Sequence, residues 1–293
     1  MKGILLAGGS GTRLAPMTDV LSKQLLPVYD KPTIYYPLSV LMLTGIRDIL
    51  IISTPRDLPV IQNMFGSGER LGLRLSYKVQ EAPRGIAEAL ILGEAFADGG
   101  PVCLILGDNI FYGHNLEHYL REARSQTDGA RIFAYYVSNP NQYGVVSLDA
   151  AGRPVSIVEK PREPKSPWAV TGLYFYDGNA STLARSLTPS ARGELEITDL
   201  NRKYMEAGKL SVSLLKRGFA WLDTGTADSL LSSSLYVQAL EKRQGLKIAC
   251  LEEIALKLGF IDMDLYQAAV QRYANSEYGT YLKRVLIDLE LNA

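Results

Sequence analysis

"ILLAGGSGTRL", residues 4–14, decides the fold. Four apolar residues, Ile4 to Ala7, run directly into a glycine loop, the pattern of a buried strand that ends in a tight turn. Glycines let backbone N–H groups turn inward and approach phosphate oxygens, and a helix following the loop adds partial positive charge. The loop fits neither familiar phosphate template. A dinucleotide fingerprint needs a third glycine where Leu14 stands, and a Walker A loop needs Gly-Lys-Ser/Thr where Gly11 is followed by Thr12 and Arg13. Arg13 adds a planar cation at the edge of a phosphate site, or else is a surface arginine on an ordinary strand-to-helix turn.

Outward from the loop, short apolar runs alternate with helical patterns. Strands are expected at 2–6, 48–53, 75–79, 102–106 and 131–137, and helices at 34–44, 58–65, 86–97 and 116–125. This alternation predicts an α/β fold, a mostly parallel sheet with helices on both faces. Such sheets bind ligands beyond the carboxyl ends of their strands, which puts residues 8–13, 80–85 and 107–109 along one rim. Residues 145–148 and 154–159 flank Asp149-Ala150-Ala151-Gly152 as a hairpin, and another strand follows at 169–176. A helix is expected at about 197–207. The strand-bearing main domain spans 1–226, with a first half to about 110 and a second half over 111–226. From 227 to 293 the pattern is helical, an appendage packed on that domain because no Pro/Gly/Ser linker separates it.

The bulk numbers narrow the function classes. The 293 residues are 47% hydrophobic and 21% charged, a soluble globular profile. Thirty-one basic and 31 acidic residues cancel, so the global positive field of a nucleic-acid binder is lacking. Cys103 and Cys250 read as buried free thiols of a reducing compartment. With two histidines, a Cys/His zinc site is not expected. No signal peptide or membrane span is apparent, which predicts a cytoplasmic protein.

Other residues could share the rim with the glycine loop. Lys23, between Pro16 and Pro27, is either solvated surface or a second cation beside a triphosphate. Asp108 in "LGDN", 106–109, ends the most apolar strand, where an α/β protein places a metal ligand, although Asp-Asn also suits a cap. Asp223 in "WLDTGT", 221–226, is a second carboxylate at an apolar-to-turn transition. Two such carboxylates could hold one Mg²⁺, a hard ion that takes its remaining ligands from water and phosphate. Glu159 and Lys160 are neighbours at a strand end, so they point to opposite faces unless the strand bends there. Arg192 and Glu196 precede a helix in "RGELEITD", 192–199.

These blocks in this order resemble the sugar-1-phosphate nucleotidyltransferases over essentially the whole chain. "SKQLLPVYDKP" at 22–32, "RGELEIT" at 192–198 and "AWLDTGT" at 220–226 narrow the resemblance to the thymidylyl branch. Ala15, Thr33 and Ala227 depart from the commoner pattern, and none carries a proposed catalytic role. The resemblance implies a three-layer Rossmann-like nucleotidyltransferase fold with a mostly parallel mixed sheet. It implies attack of glucose 1-phosphate on the α-phosphorus of dTTP, giving dTDP-glucose and pyrophosphate with Mg²⁺ as cofactor, in dTDP-deoxysugar (dTDP-rhamnose) synthesis. Arg13 and Lys23 would neutralise the triphosphate, and Asp108 and Asp223 would hold the metal. Leu6, Gly8, Gly9, Gly11, Thr12, Gln24, Gln80 and Gly85 would complete the nucleotide site, with Gln24, Gln80 and Gly85 at the thymine edge. Asn109, Tyr143, Gly144, Glu159, Val170 and Trp221 would meet the sugar, and Lys160 and Arg192 its phosphate. A dinucleotide-dependent dehydrogenase is disfavoured by Leu14 and Arg13, and a catalytically silent sensor has no need of all the charged residues.

The resemblance also implies a homotetramer inhibited by its dTDP-sugar end product at a second site. Tyr112, Gly113, His114, Arg217, Gly218, Cys250, Glu252 and Glu253 are the candidates for that site.

Overall fold

The computed structural model describes residues 1–9 and 11–291; Ser10 of the glycine loop and the last two residues of the expected appendage lie outside the described residues. Strands β1 (Lys2–Ala7), β4 (Asp48–Ser53), β5 (Arg74–Val79) and β6 (Val102–Leu106) pair in parallel in the order β6-β1-β4-β5. β1, β4 and β6 are apolar along nearly their whole length because helices cover both of their faces. Two short strands, β2 (Pro27–Val28) and β3 (Lys31–Pro32), form a small hairpin beyond β1. β11 (Trp168–Tyr176) joins β6 antiparallel and forks, pairing also with β8 (Ala130–Tyr136) and β9 (Gly144–Leu148). β10 (Pro154–Glu159) completes the hairpin with β9, and β12 (Leu210–Leu215) runs parallel to β8. The sheet is therefore mixed, with a parallel half that carries the glycine loop.

Helices fill two layers. One hydrophobic cluster packs α1 (Tyr35–Leu43), α2 (Leu58–Phe65) and α5 (Leu116–Ser125) on one face of the sheet. The other packs α3 (Glu88–Leu92), α4 (Glu94–Ala97), α6 (Ala180–Arg185) and α7 (Ile197–Glu206) on the opposite face. The C-terminal helices α8 (Ala227–Gln244), α9 (Leu251–Lys257), α10 (Met263–Arg272) and α11 (Glu277–Leu291) follow. Leu251, Ala255, Tyr266 and Leu282 belong to the same core as Leu5 and Ile49, so the appendage packs directly on the first layer. Lys31, less than a twentieth exposed, bridges Asp30 and Glu241 of α8 at 2.5 and 2.9 Å, and Lys247 bonds both acids as well.

Three expectations change. The glycine loop is not followed by an α-helix: residues 12–14, 17–19 and 23–25 form single 3₁₀ turns, and Pro16 and Pro27 interrupt any longer helix. The helix expected over 86–97 breaks at Gly93, where a Cβ would stand 2.6 Å from Ile4 Cδ1 of the central strand. Strands β12, β7 (Asn109–Gly113) and β13 (Phe219–Asp223) were not foreseen, and the last two make a separate antiparallel pair. Both cysteines are buried and free, as expected.

Candidate active site

The parallel half brings its rim residues together around a cavity of about 190 Å³, lined by Leu6, Gly8, Gly9, Lys23, Gln24 and Asp108 and closed by Gln80, Pro83, Gly85 and Glu194. Gln24, almost fully buried, donates through Nε2 to the Gly8 carbonyl at 2.9 Å, which anchors the 22–25 turn to the end of β1. Its Oε1 is buried and without a donor among the described residues. Gly85 has φ +101°, and a Cβ there would lie 2.4 Å from the Leu195 carbonyl, so only glycine lets this segment pack against the Arg192–Glu196 strip.

Lys23 Nζ meets Asp108 Oδ2 at 2.5 Å, with both side chains less than a fifth exposed. Lys23 is thus an inward cation rather than solvated surface. Burial pushes the Asp108 carboxyl up, but the Lys23 charge and hydrogen bonds from Lys23 and Asn109 outweigh it and hold the carboxyl below its usual value. Asn109 organises the point beyond: its Nδ2 donates to Asp108 Oδ1 at 2.8 Å, and its Oδ1 accepts from Trp221 Nε1 at 2.6 Å and Gly172 N at 3.0 Å.

The β7–β13 pair explains how Asp223 reaches the same rim. Asp223 stands opposite Asn109 in that register, and the Thr224 N–H and hydroxyl both bond the Asp108 carbonyl, at 3.2 and 3.3 Å. Asp223 Oδ2 accepts from the Tyr143 hydroxyl at 3.0 Å and Oδ1 from Gly225 N at 3.3 Å. Burial, and then the Asp223 charge, push the Tyr143 phenol up to about 12, so it stays a donor at neutral pH. Arg13 packs on the same turn, its Nη2 lying 3.0 Å from where a Cβ on Gly225 would be. Two carboxylates and two cations therefore share one rim. Each Asp223 oxygen keeps a lone pair beyond its single donor, and hard oxygen donors in such a pair suit Mg²⁺ with phosphate and water completing its shell. Thr12 is exposed and Gly11 holds φ +61° against the Thr18 side chain.

Across the rim the second half gathers the remaining residues. A Cβ on Gly144 would stand 2.9 Å from Thr198 Oγ1 and 3.3 Å from Glu159 Oε2, so the glycine admits both, with Val170 behind. Thr198 Oγ1 donates to Glu159 at 2.5 Å. Lys160 takes φ +41° and leaves the strand, which brings its Nζ back to 3.4 Å from Glu159 Oε1. Arg192 donates to both oxygens of Glu196, at 2.9 and 3.0 Å, and lies 3.9 Å from Glu159. Trp221 and Tyr143 meet edge to face with centroids 5.1 Å apart, an aromatic wall at the side of Asp223. Sequence reasoning missed Thr224 and Thr198, which lie inside the quoted motifs but act through cross-strand contacts, and Glu88, discussed below.

A larger cavity, about 630 Å³, lies elsewhere, between β7, the start of α5 and α9. Tyr112, Gly113, Cys250 and Glu253 line it, alongside His118, Arg121, Lys247 and Lys257. Gly218 abuts Gly113, and Arg217 precedes it in the turn from β12 to β13. His114 lies between Gly113 and Asn115 but is not in the lining, and Glu252 turns inward to accept from the Tyr278 hydroxyl.

The family model for nucleotidyl transferases matches residues 2–239. The glucose-1-phosphate thymidylyltransferase of Neisseria meningitidis is 56% identical over 286 residues, 98% of this chain and 99% of that one. The Mycobacterium tuberculosis enzyme of the same name is 51% identical over 286 residues, again 98% and 99% of the two chains. A crystal structure assigned to a glucose-1-phosphate thymidylyltransferase from Bacillus anthracis, in complex with a sucrose, superposes with TM-score 0.75 at 41% identity, covering 80% of this chain and 94% of that one. The chain belongs to the nucleotidyl transferase family, among the glucose-1-phosphate thymidylyltransferases.

Proposed function

We propose that the rim carries out direct transfer of the thymidylyl group of dTTP to glucose 1-phosphate. An oxygen of the sugar phosphate forms the new bond to the α-phosphorus as the bond to pyrophosphate breaks, with no enzyme nucleophile and no proton to remove from a hydroxyl. The residues' work is then positioning and charge neutralisation. The observation that carries this reading is the joint placement of Lys23, Asp108 and Asp223 at the rim beside Arg13. Arg13 and Lys23 neutralise the triphosphate and the departing pyrophosphate. Gln24, Gln80 and Gly85 take the base; Glu159, Gly144 and Val170 take the sugar, with Lys160 and Arg192 at its phosphate. Asp108 and Asp223 would hold Mg²⁺, which would supply Lewis-acid polarisation of a bound phosphate. Release of pyrophosphate measured with dTTP, UTP, CTP and GTP against several sugar 1-phosphates tests the reading; a preference for a purine triphosphate would overturn it.

The product feeds dTDP-deoxysugar synthesis, dTDP-rhamnose being the expected end, in the cytoplasm. No helix among the described residues is long and apolar enough to cross a membrane. The 630 Å³ cavity, where Arg121 has no ion-pair partner among the described residues while Lys247 and Lys257 already meet carboxylates, is the candidate site for an anionic dTDP-sugar inhibitor. The exposed Leu231 and Leu235, one turn apart on α8, support assembly into a homotetramer. Inhibition by dTDP-rhamnose should be relieved, with turnover kept, in an Arg121→Ala variant of the cavity lining. Purely competitive inhibition that survives there would remove the second site.

A further inference from the structure

Gln80 is held in one orientation. Its Nε2 donates to Glu88 Oε2 at 2.7 Å and to the Gly85 carbonyl at 3.4 Å. Both partners only accept, so the NH₂ end of the carboxamide cannot exchange places with the oxygen end. Oε1 is thereby turned to Gly8 at the cavity, 2.6 Å from where a Cβ would stand, and no donor among the described residues bonds it. Glu88 opens α3, its side chain is 14% exposed, and among the described residues it has only the loose contact of Arg84 at 3.7 Å besides Gln80. Gln24 is fixed in the same sense, its Nε2 on Gly8 and its Oε1 without a donor. The cavity thus presents the Gln80 carboxamide oxygen, an acceptor, to whatever base enters it.

We propose that Glu88 is a specificity-determining positioning residue: by fixing the Gln80 amide it makes the pocket take a pyrimidine nucleotide whose N3 bears a proton and reject a cytosine nucleotide. Thymine and uracil offer an N–H at N3 to the Gln80 oxygen. Cytosine offers a lone pair there, and two facing acceptors repel while each loses its water. The proposal rests on the reading that Gln80 meets the base.

The test is the ratio of kcat/KM for dTTP over dCTP, measured on the same preparations of the wild-type chain, Glu88→Gln, Glu88→Met and Gln80→Ala. The ratio is independent of the fraction of enzyme that is folded, so a general loss of stability does not move it. Glu88→Gln offers a donor as well as an acceptor and lets Gln80 turn over. The expected result is a fall in the ratio of about tenfold or more, carried mainly by KM, in both Glu88 variants. A ratio within twofold of wild type in the Glu88 variants, with a collapse in Gln80→Ala, overturns the role of Glu88 and leaves Gln80 at the base. An unchanged ratio in Gln80→Ala removes the base contact itself, and the proposal with it.

Discussion

Replacing each rim aspartate by asparagine should give two similar activity losses and two different stability losses. In Asp223→Asn the amide can keep its oxygen toward Gly225 N–H and donate its NH₂ to the Tyr143 hydroxyl, which accepts as readily as it donates. The neighbourhood stays satisfied, and exchanging a charge-assisted bond for a neutral one costs about 1 kcal/mol. In Asp108→Asn the Lys23 ammonium, less than a fifth exposed, loses its counter-charge at 2.5 Å. Leaving it unpaired costs about 2–3 kcal/mol, short of the full penalty for a wholly buried pair because some solvent reaches it. At about 2–4 °C per kcal/mol, Asp108→Asn should melt several degrees below wild type and Asp223→Asn only a few. Both lose a carboxylate proposed to hold the metal, at about 3–4 kcal/mol of transition-state stabilisation, or roughly 10²–10³ in turnover. Thermal melts and a pyrophosphate-release assay at saturating Mg²⁺ read the two effects. Near-normal turnover in Asp223→Asn refutes its place in the metal site, and equal melting losses in the two variants refute the inward ion pair.

Arg13→Lys should lose about 2–4 kcal/mol of transition-state stabilisation, because a point charge cannot reproduce the planar fork; an unchanged kcat/KM would leave Arg13 an exposed arginine with no part in the transfer. Lys160→Ala and Arg192→Ala should raise KM for glucose 1-phosphate more than for dTTP, and steady-state kinetics with each substrate varied in turn would show the reverse if these cations serve the nucleotide. Asp177 carries an acid-sensitive share of stability. Burial pushes its carboxyl up, but donors from Tyr204, Gly129 and Asn179 prevail and hold it below the usual value. A depressed folded-state pKa gives stability that is full above the unfolded value near 3.9 and is lost as pH falls through the folded value. Asp177→Asn should therefore melt lower at pH 7 and lose less on acidification to pH 3 than wild type; parallel melting curves against pH would contradict this.

Much of the parallel half is legible in the sequence because β1, β4 and β6 are buried on both faces and so are written as unbroken apolar runs. β12 escapes such reading since Ser211 and Ser213 dilute it, and it is buried only at alternate stretches. The β7–β13 pair joins segments more than a hundred residues apart, and no local pattern fixes their register. The rim residues fall at strand ends and turns, where glycine, aspartate and lysine stand out from apolar context. What they touch does not stand out: the Thr224 bonds to Asp108, the Thr198 bond to Glu159 and the Glu88 hold on Gln80 all cross between elements. The helix expected after the glycine loop failed for a local reason, two prolines, that the sequence did display.

The fork at β11 has a consequence for synthesis. β6 finds its outer partner only when residues 168–176 arrive, some sixty positions after it leaves the ribosome. Until then the parallel half can assemble around β1, but one edge of it, Val102 to Leu106, presents unpaired backbone on a wholly apolar strand. The nascent chain is thus open to edge-to-edge association during that interval, and closes it by laying one strand across three partners at once. Slowing translation between the emergence of residue 106 and that of residue 176 from the ribosome lengthens the exposure, whereas slowing it later does not.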